Sequence, residues 1–138
     1  MYWYNHRYLF TVGSLLLAFA AAPLTHWVYG GPFDMVTFIG AIALGAIPAC
    51  AWALQLAMYG SRFIGGVACL FVLIGHLAAF WAGVMLVDPQ VLNAARLLAP
   101  ASPWQVALAV VVAFELGAFA LLETMPRRWA KQPSHVTA

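Results

Sequence analysis

Residues 104–122 read WQVALAVVVAFELGAFALL. A helix needs ~20 mainly apolar residues to cross ~30 Å of hydrocarbon, and this stretch meets that length. Apart from Gln105 near its start, one residue breaks the pattern: Glu115. A charged carboxylate at the centre of a membrane helix costs ~2.5–3.5 kcal/mol on insertion scales. Such a group faces a partner or a cavity, or it carries a proton. The stretch therefore reads as a transmembrane helix with one chemically demanding position.

Three more apolar segments of similar length precede it, Leu9–Tyr29, Met35–Tyr59 and Phe63–Val87. Only 7% of the 138 residues are charged and 65% are hydrophobic, against ~25% charged in soluble domains. Such a chain cannot clothe a globular surface in polar groups. The expectation is an all-α integral membrane protein. Residues 1–138 form a single domain whose four transmembrane helices, about 9–29, 35–59, 63–87 and 104–122, pack as an antiparallel bundle, followed by a short tail over 126–138. Arg7 followed by an apolar run and Ala20-Ala21-Ala22 imitates a cleavable signal. The run continues to Tyr29, long enough to span, so it reads as a retained first helix.

Boundary residues support these limits. Asp34 can cap the second helix. Tyr59-Gly60-Ser61-Arg62 makes a turn short enough to force antiparallel neighbours. Ser102-Pro103-Trp104-Gln105 is a capping box with proline at the first helical position, and Pro126 ends the last helix. Pro23 and Pro48 fall inside helices, where each removes a backbone hydrogen bond and favours a kink. The connection Asp88–Pro103 holds a short helix, Pro89–Leu98, capped by Asp88. Val91, Leu92, Ala95 and Leu98 share one of its faces, so it should lie along the membrane surface.

Lys and Arg set the orientation. An even number of spans puts both termini and the Gly60–Arg62 turn on one side, with Arg7, Arg62, Arg127, Arg128 and Lys131, against Arg96 alone on the other. The positive-inside rule makes the first side cytoplasmic, in what reads as a bacterial inner (plasma) membrane. Tyr2, Trp3, Tyr4, Tyr8 and Trp129 form an aromatic belt there. His26, Trp27, Tyr29 and Trp104 form the opposite belt. Arg127, Arg128, Trp129 and Lys131 are expected to contact anionic lipid headgroups. A net charge of +2 with scattered basic residues gives no footprint for nucleic acid.

Few groups remain for chemistry. His76 lies fourteen residues past Arg62, near mid-depth, and Glu115 lies in the cytoplasmic half. Their helices run in opposite directions, so the two can meet directly or through one water. Pairing would offset the cost of both and create a site able to hold a proton. Alternatively, Glu115 only locks helix packing. Ser14, Thr25 and Thr37 read as hydroxyls satisfied locally, and no nucleophile–base set stands out. Cys50 and Cys69 are not spaced for a metal and read as buried free thiols. A membrane haem needs two histidines at matched depth. His6, His26, His76 and His135 supply no such pair, so no cofactor is expected of this chain alone. A haem or quinone shared with another subunit stays open.

Small residues recur every four positions. Ala41, Gly45, Ala49 and Ala53 stripe the second helix, Gly75, Ala79 and Gly83 the third, and Ala109, Ala113 and Gly117 the fourth. This spacing lets helices approach closely in lipid. Three stripes exceed what one bundle interior requires, so one is expected to face another chain or a second copy. With no soluble domain and few catalytic groups, the leading expectation is a non-enzymatic accessory, anchoring or assembly subunit of a larger membrane complex. The alternative is a small proton-coupled transporter or channel, working as an oligomer with Glu115 and His76 in its path.

Overall fold

The computed structural model describes residues 5–59 and 62–124. They form five α-helices: α1 (Arg7–Tyr29), α2 (Met35–Tyr59), α3 (Arg62–Val87), α4 (Pro89–Leu98) and α5 (Pro103–Thr124). All but α4 are long and apolar enough to cross a membrane. The chain is an all-α protein built as an antiparallel four-helix bundle, with the short helix α4 between the third and fourth spans. The second span, Met35–Tyr59, matches the segment read from sequence, and the other three extend one or two residues beyond theirs at one or both ends. The polar residues that frame a span still continue the helix.

Terminal chemistry explains the limits. Gly30, at φ 68°, closes α1 in the left-handed conformation and returns its N–H to the His26 carbonyl, 2.9 Å away. Asp34 Oδ1 accepts from the Thr37 N–H at 3.0 Å, while the Asp34 N–H donates to Thr37 Oγ1 at 2.8 Å. This is a reciprocal capping box with threonine in the returning position. These bonds to Thr37 hold the Asp34 carboxyl below its ordinary pKa. Asp88 accepts from the Gln90 N–H at 2.9 Å, with Pro89 opening α4. Ser102 Oγ accepts from the Gln105 N–H at 3.3 Å at the start of α5.

The helix α3 is the hub, packing against α1, α2 and α5. The α1–α2 pair closes the bundle on one side, and α5 lies on the other with α3 as its main neighbour. α1 begins and α5 stops at one end of the bundle, the terminal end, and Asp34 and Asp88 mark the opposite end. Two apolar clusters fill the interior. Trp52, Leu56, Ala68, Val72, Ala118 and Leu122 occupy the terminal half. Ala18, Ala21, Ala41, Ala79, Phe80 and Val84 occupy the other.

Small residues set the spacing inside the chain. Ala41, Ala49 and Ala53 of α2 are buried, and a Cβ on Gly45 would come within 3.1 Å of Ala21 Cβ and 3.2 Å of the Phe80 ring. Gly83 of α3 meets the backbone of α1. A Cβ there would strike the Phe19 carbonyl oxygen and lie 3.0 Å from its carbonyl carbon. Phe19 is also the residue whose carbonyl Pro23, four residues on, cannot bond, because proline has no N–H. The helical assignment runs unbroken through both Pro23 and Pro48. The stripe on α5 differs. Ala109 and Ala113 are exposed, and only Gly117 meets a neighbour, the Phe71 ring, at 2.9 Å from where its Cβ would stand.

One expectation needs correction. Cys50 is exposed on the outer surface of α2, where Leu54 is also exposed, and only Cys69 is partly buried. Both thiols are free. In α4, Val91 and Ala95 turn toward the bundle, but Leu98 is 91% exposed and Leu97 84%. The bundle covers the start of α4 and leaves its last turn uncovered.

Candidate functional site

Between the two apolar clusters lies a layer of polar side chains contributed by α1, α3 and α5, to which Trp52 of the terminal-half cluster adds a bond from α2. Glu115 of α5 is 5% exposed and His76 of α3 is 2% exposed. They are in contact: His76 Nδ1 stands 2.8 Å from Glu115 Oε1. The residue before His76 makes this possible. A Cβ on Gly75 would lie 2.9 Å from Glu115 Cδ and 3.0 Å from its Cγ. Glycine at that position therefore lets the carboxylate rest against the α3 backbone, one residue from its partner.

The other ring nitrogen reaches the opposite side of the bundle. His76 Nε2 is 2.7 Å from Ser14 Oγ on α1, and the Ser14 hydroxyl also lies 3.1 Å from the Thr11 carbonyl. One turn toward the terminal end, Trp52 of α2 donates its indole N–H to Thr11 Oγ1 at 2.7 Å. A connected line therefore runs α5–α3–α1, Glu115 to His76 to Ser14, with a second bridge from α1 to α2. In hydrocarbon such bonds are worth ~0.6–2 kcal/mol each, and they fix the rotation of every helix about its axis.

Nδ1 also stands 2.8 Å from the Val72 carbonyl, one turn back on α3. A carbonyl can only accept, so Nδ1 carries the hydrogen and shares it between Val72 and Glu115. Glu115 Oε2 is buried with no hydrogen-bond partner among the described residues. The layer is thus satisfied except at one carboxylate oxygen.

A second polar contact joins α1 to α5 at the terminal end. Arg7 donates through Nε to Glu123 Oε1 at 3.0 Å and again through a terminal guanidinium nitrogen. Tyr8 donates its hydroxyl to the same oxygen at 2.8 Å, and its ring lies against Phe119 at 4.6 Å between centroids, tilted by 39°. Further along, α1 and α5 part. Val12, Leu16, Phe19, Trp104, Leu108 and Val111 border an apolar cleft of about 470 Å³ between them.

Of the positions singled out from sequence, Glu115 and His76 come together. Gly75, Ala79 and Gly83, with Ala41, Gly45, Ala49 and Ala53, all sit inside the chain's own helix contacts. Arg127, Arg128, Trp129 and Lys131 lie outside the described residues, as do Tyr2, Trp3, Tyr4 and Pro126. Ser14, Thr11 and Trp52 were missed as members of the polar layer. A signal for two of them existed: Thr11 and Ser14 are the only hydroxyl-bearing residues, other than tyrosine, in the first half of α1. Their spacing of three places them on one face. Among the described residues no cluster of three or more His, Cys, Asp or Glu side chains could hold a metal ion. Comparison with protein-family models, with curated proteins and with solved structures finds no match for this chain.

Proposed function

We propose that this chain is an accessory, anchoring or assembly component of a larger complex in a bacterial inner membrane, with both termini cytoplasmic. The observation that supports this is the state of α5. One side of the helix is held to α3 by Glu115, Gly117 and Ala118, while Ala109, Val112, Ala113, Leu116 and Ala120 are uncovered. Small residues four apart on a lipid-facing surface let another transmembrane helix come close enough for backbone-level packing. On this reading the polar layer is a lock that presents α5 in one fixed rotation. The test is purification from native membranes in mild detergent, with wild type beside a double substitution, Ala109→Leu with Ala113→Leu. Stoichiometric partner subunits with the wild type, lost with the variant, support the proposal. A wild-type chain that emerges alone contradicts it.

A proton-coupled transporter working as an oligomer is the second reading. The direct Glu115–His76 contact and the unpaired Glu115 Oε2 favour it. Weighing against it is the apolar character of the half beyond the polar layer, where Ala18, Ala21, Ala79 and Phe80 fill the core. Glu115→Gln separates the readings, because glutamine keeps size and hydrogen bonding but does not ionise. Full activity and assembly in Glu115→Gln, with failed assembly in Glu115→Ala, excludes the transporter. Normal assembly with lost activity in Glu115→Gln excludes a purely structural role.

A further inference from the structure

We propose that Ser14, His76 and Glu115 form one proton-binding site, with the exchangeable proton on His76 Nε2 and the Ser14 hydroxyl turning to match its occupancy. The argument starts from the ring nitrogen that does not exchange. Nδ1 is 2.8 Å from both the Val72 carbonyl and Glu115 Oε1. Its hydrogen is needed because without it a nitrogen lone pair would face the Val72 carbonyl, which can only accept. Any further proton on the imidazole therefore goes to Nε2, 2.7 Å from Ser14 Oγ.

Ser14 has a satisfied position for each state. When Nε2 is bare, the serine O–H donates to it. When a proton from water binds the Nε2 lone pair, the new N–H donates to Ser14 Oγ. The serine hydrogen then rotates to the Thr11 carbonyl, 3.1 Å away. No covalent bond other than N–H forms, and no buried hydrogen-bonding group on Ser14 or His76 is stranded. The imidazolium charge is met by the Glu115 carboxylate through Nδ1–H.

The surroundings leave this pair in control. From α5 the titratable groups are Glu115 and Glu123, and Glu123 is bonded to Arg7 and Tyr8 at the terminal end. From α2 the nearest is Cys50, which lines the same groove as His76. On α3 itself it is Cys69, packed against the apolar cluster of the terminal half. From α1, Ser14 bonds the ring, and the titratable residues of that helix, Arg7, Tyr8, His26 and Tyr29, lie toward its two ends. Ser14 lines a groove of about 310 Å³ between α1 and α2 that extends to Gln55 and Leu9.

The inference concerns a protonation equilibrium and rests on neither functional reading. The experiment is ¹⁵N magnetic resonance of the histidine side chains in the full-length protein in bilayers, titrated across the range where imidazole ordinarily changes charge. Spectra are recorded for wild type, Ser14→Ala and Ser14→Thr. The expected result is that His76 Nε2 titrates while Nδ1 stays protonated throughout. Ser14→Ala should bind the proton roughly three- to tenfold more weakly, because the charge-assisted bond it removes is stronger than the neutral one. Ser14→Thr, which keeps a hydroxyl, should recover most of the loss. A neutral wild-type His76 with its hydrogen on Nε2, or no protonation change at all, overturns the proposal even if Ser14→Ala does not fold. So does a folded Ser14→Ala variant with an unchanged midpoint.

Discussion

At the scale of single residues, the tightest constraints are on two glycines of α3, and they differ in kind. Gly75 faces the Glu115 side chain and Gly83 faces the Phe19 backbone. A side chain can turn aside, whereas a helix backbone moves only with its whole element. Gly83→Ala should therefore cost more than Gly75→Ala, with Gly75→Ala falling in the ~1–3 kcal/mol range of overpacked interiors. Gly66→Ala meets nothing within 4 Å and serves as the neutral control. Thermal or denaturant unfolding in matched detergent checks the order, and equal losses at Gly75 and Gly83 would contradict it. Gly75→Ala should also displace the Glu115 carboxylate from His76, which a change in the His76 ¹⁵N shift would report.

At the scale of elements, the capping of α2 makes a prediction about acid. The bonds from Thr37 place the Asp34 pKa below its ordinary value in the folded chain. A depressed carboxyl pKa gives stability that is complete above the unfolded value, ~3.9. It is lost as pH falls from there through the folded value. Asp34→Asn keeps the cap geometry but removes the ionisation. Its unfolding midpoint should lack the decline below ~pH 4 that the wild type shows on this account. Identical acid profiles would deny Asp34 that role. In α4, Asp88→Ala should cost ~1 kcal/mol, the usual worth of an N-cap, and should free the α3–α4 corner for faster amide exchange. The spans, the caps at Asp34, Asp88 and Ser102, and the glycine stripes were legible in sequence because each follows from a local rule of length, spacing or side-chain reach. Partnership was not. Ser14 reads as an ordinary helix hydroxyl until the rotation of α1 against α3 is known. Cys50 reads as buried until α2 is seen to turn that face outward.

At the scale of the whole molecule, the polar layer divides the bundle into two apolar halves, and α5 is its least covered long helix. The proposed orientation puts Asn93, exposed on α4, outside the membrane and the tail after Pro133 inside. Single cysteines at these two places, in a Cys50→Ser, Cys69→Ser background, should react and stay unreactive respectively with an impermeant reagent applied to intact cells. The reverse pattern would invert the topology. One further consequence follows from the way His76 is bonded. Its Nδ1–H already has the Val72 carbonyl of its own helix, and its Nε2 has Ser14 of α1. Glu115 has no such provision within α5. Because α5 follows the other spans in the chain, the three earlier spans can pair in the bilayer with the histidine already satisfied and its donor directed at the empty flank. The carboxylate arriving with α5 is then the group in need of a berth. Within the described residues its hydrogen bond is to His76, beside Gly75. The bonding favours an order of assembly in which α1–α3 form a self-sufficient receptor and α5 docks into it, because leaving Glu115 among lipid tails is costly.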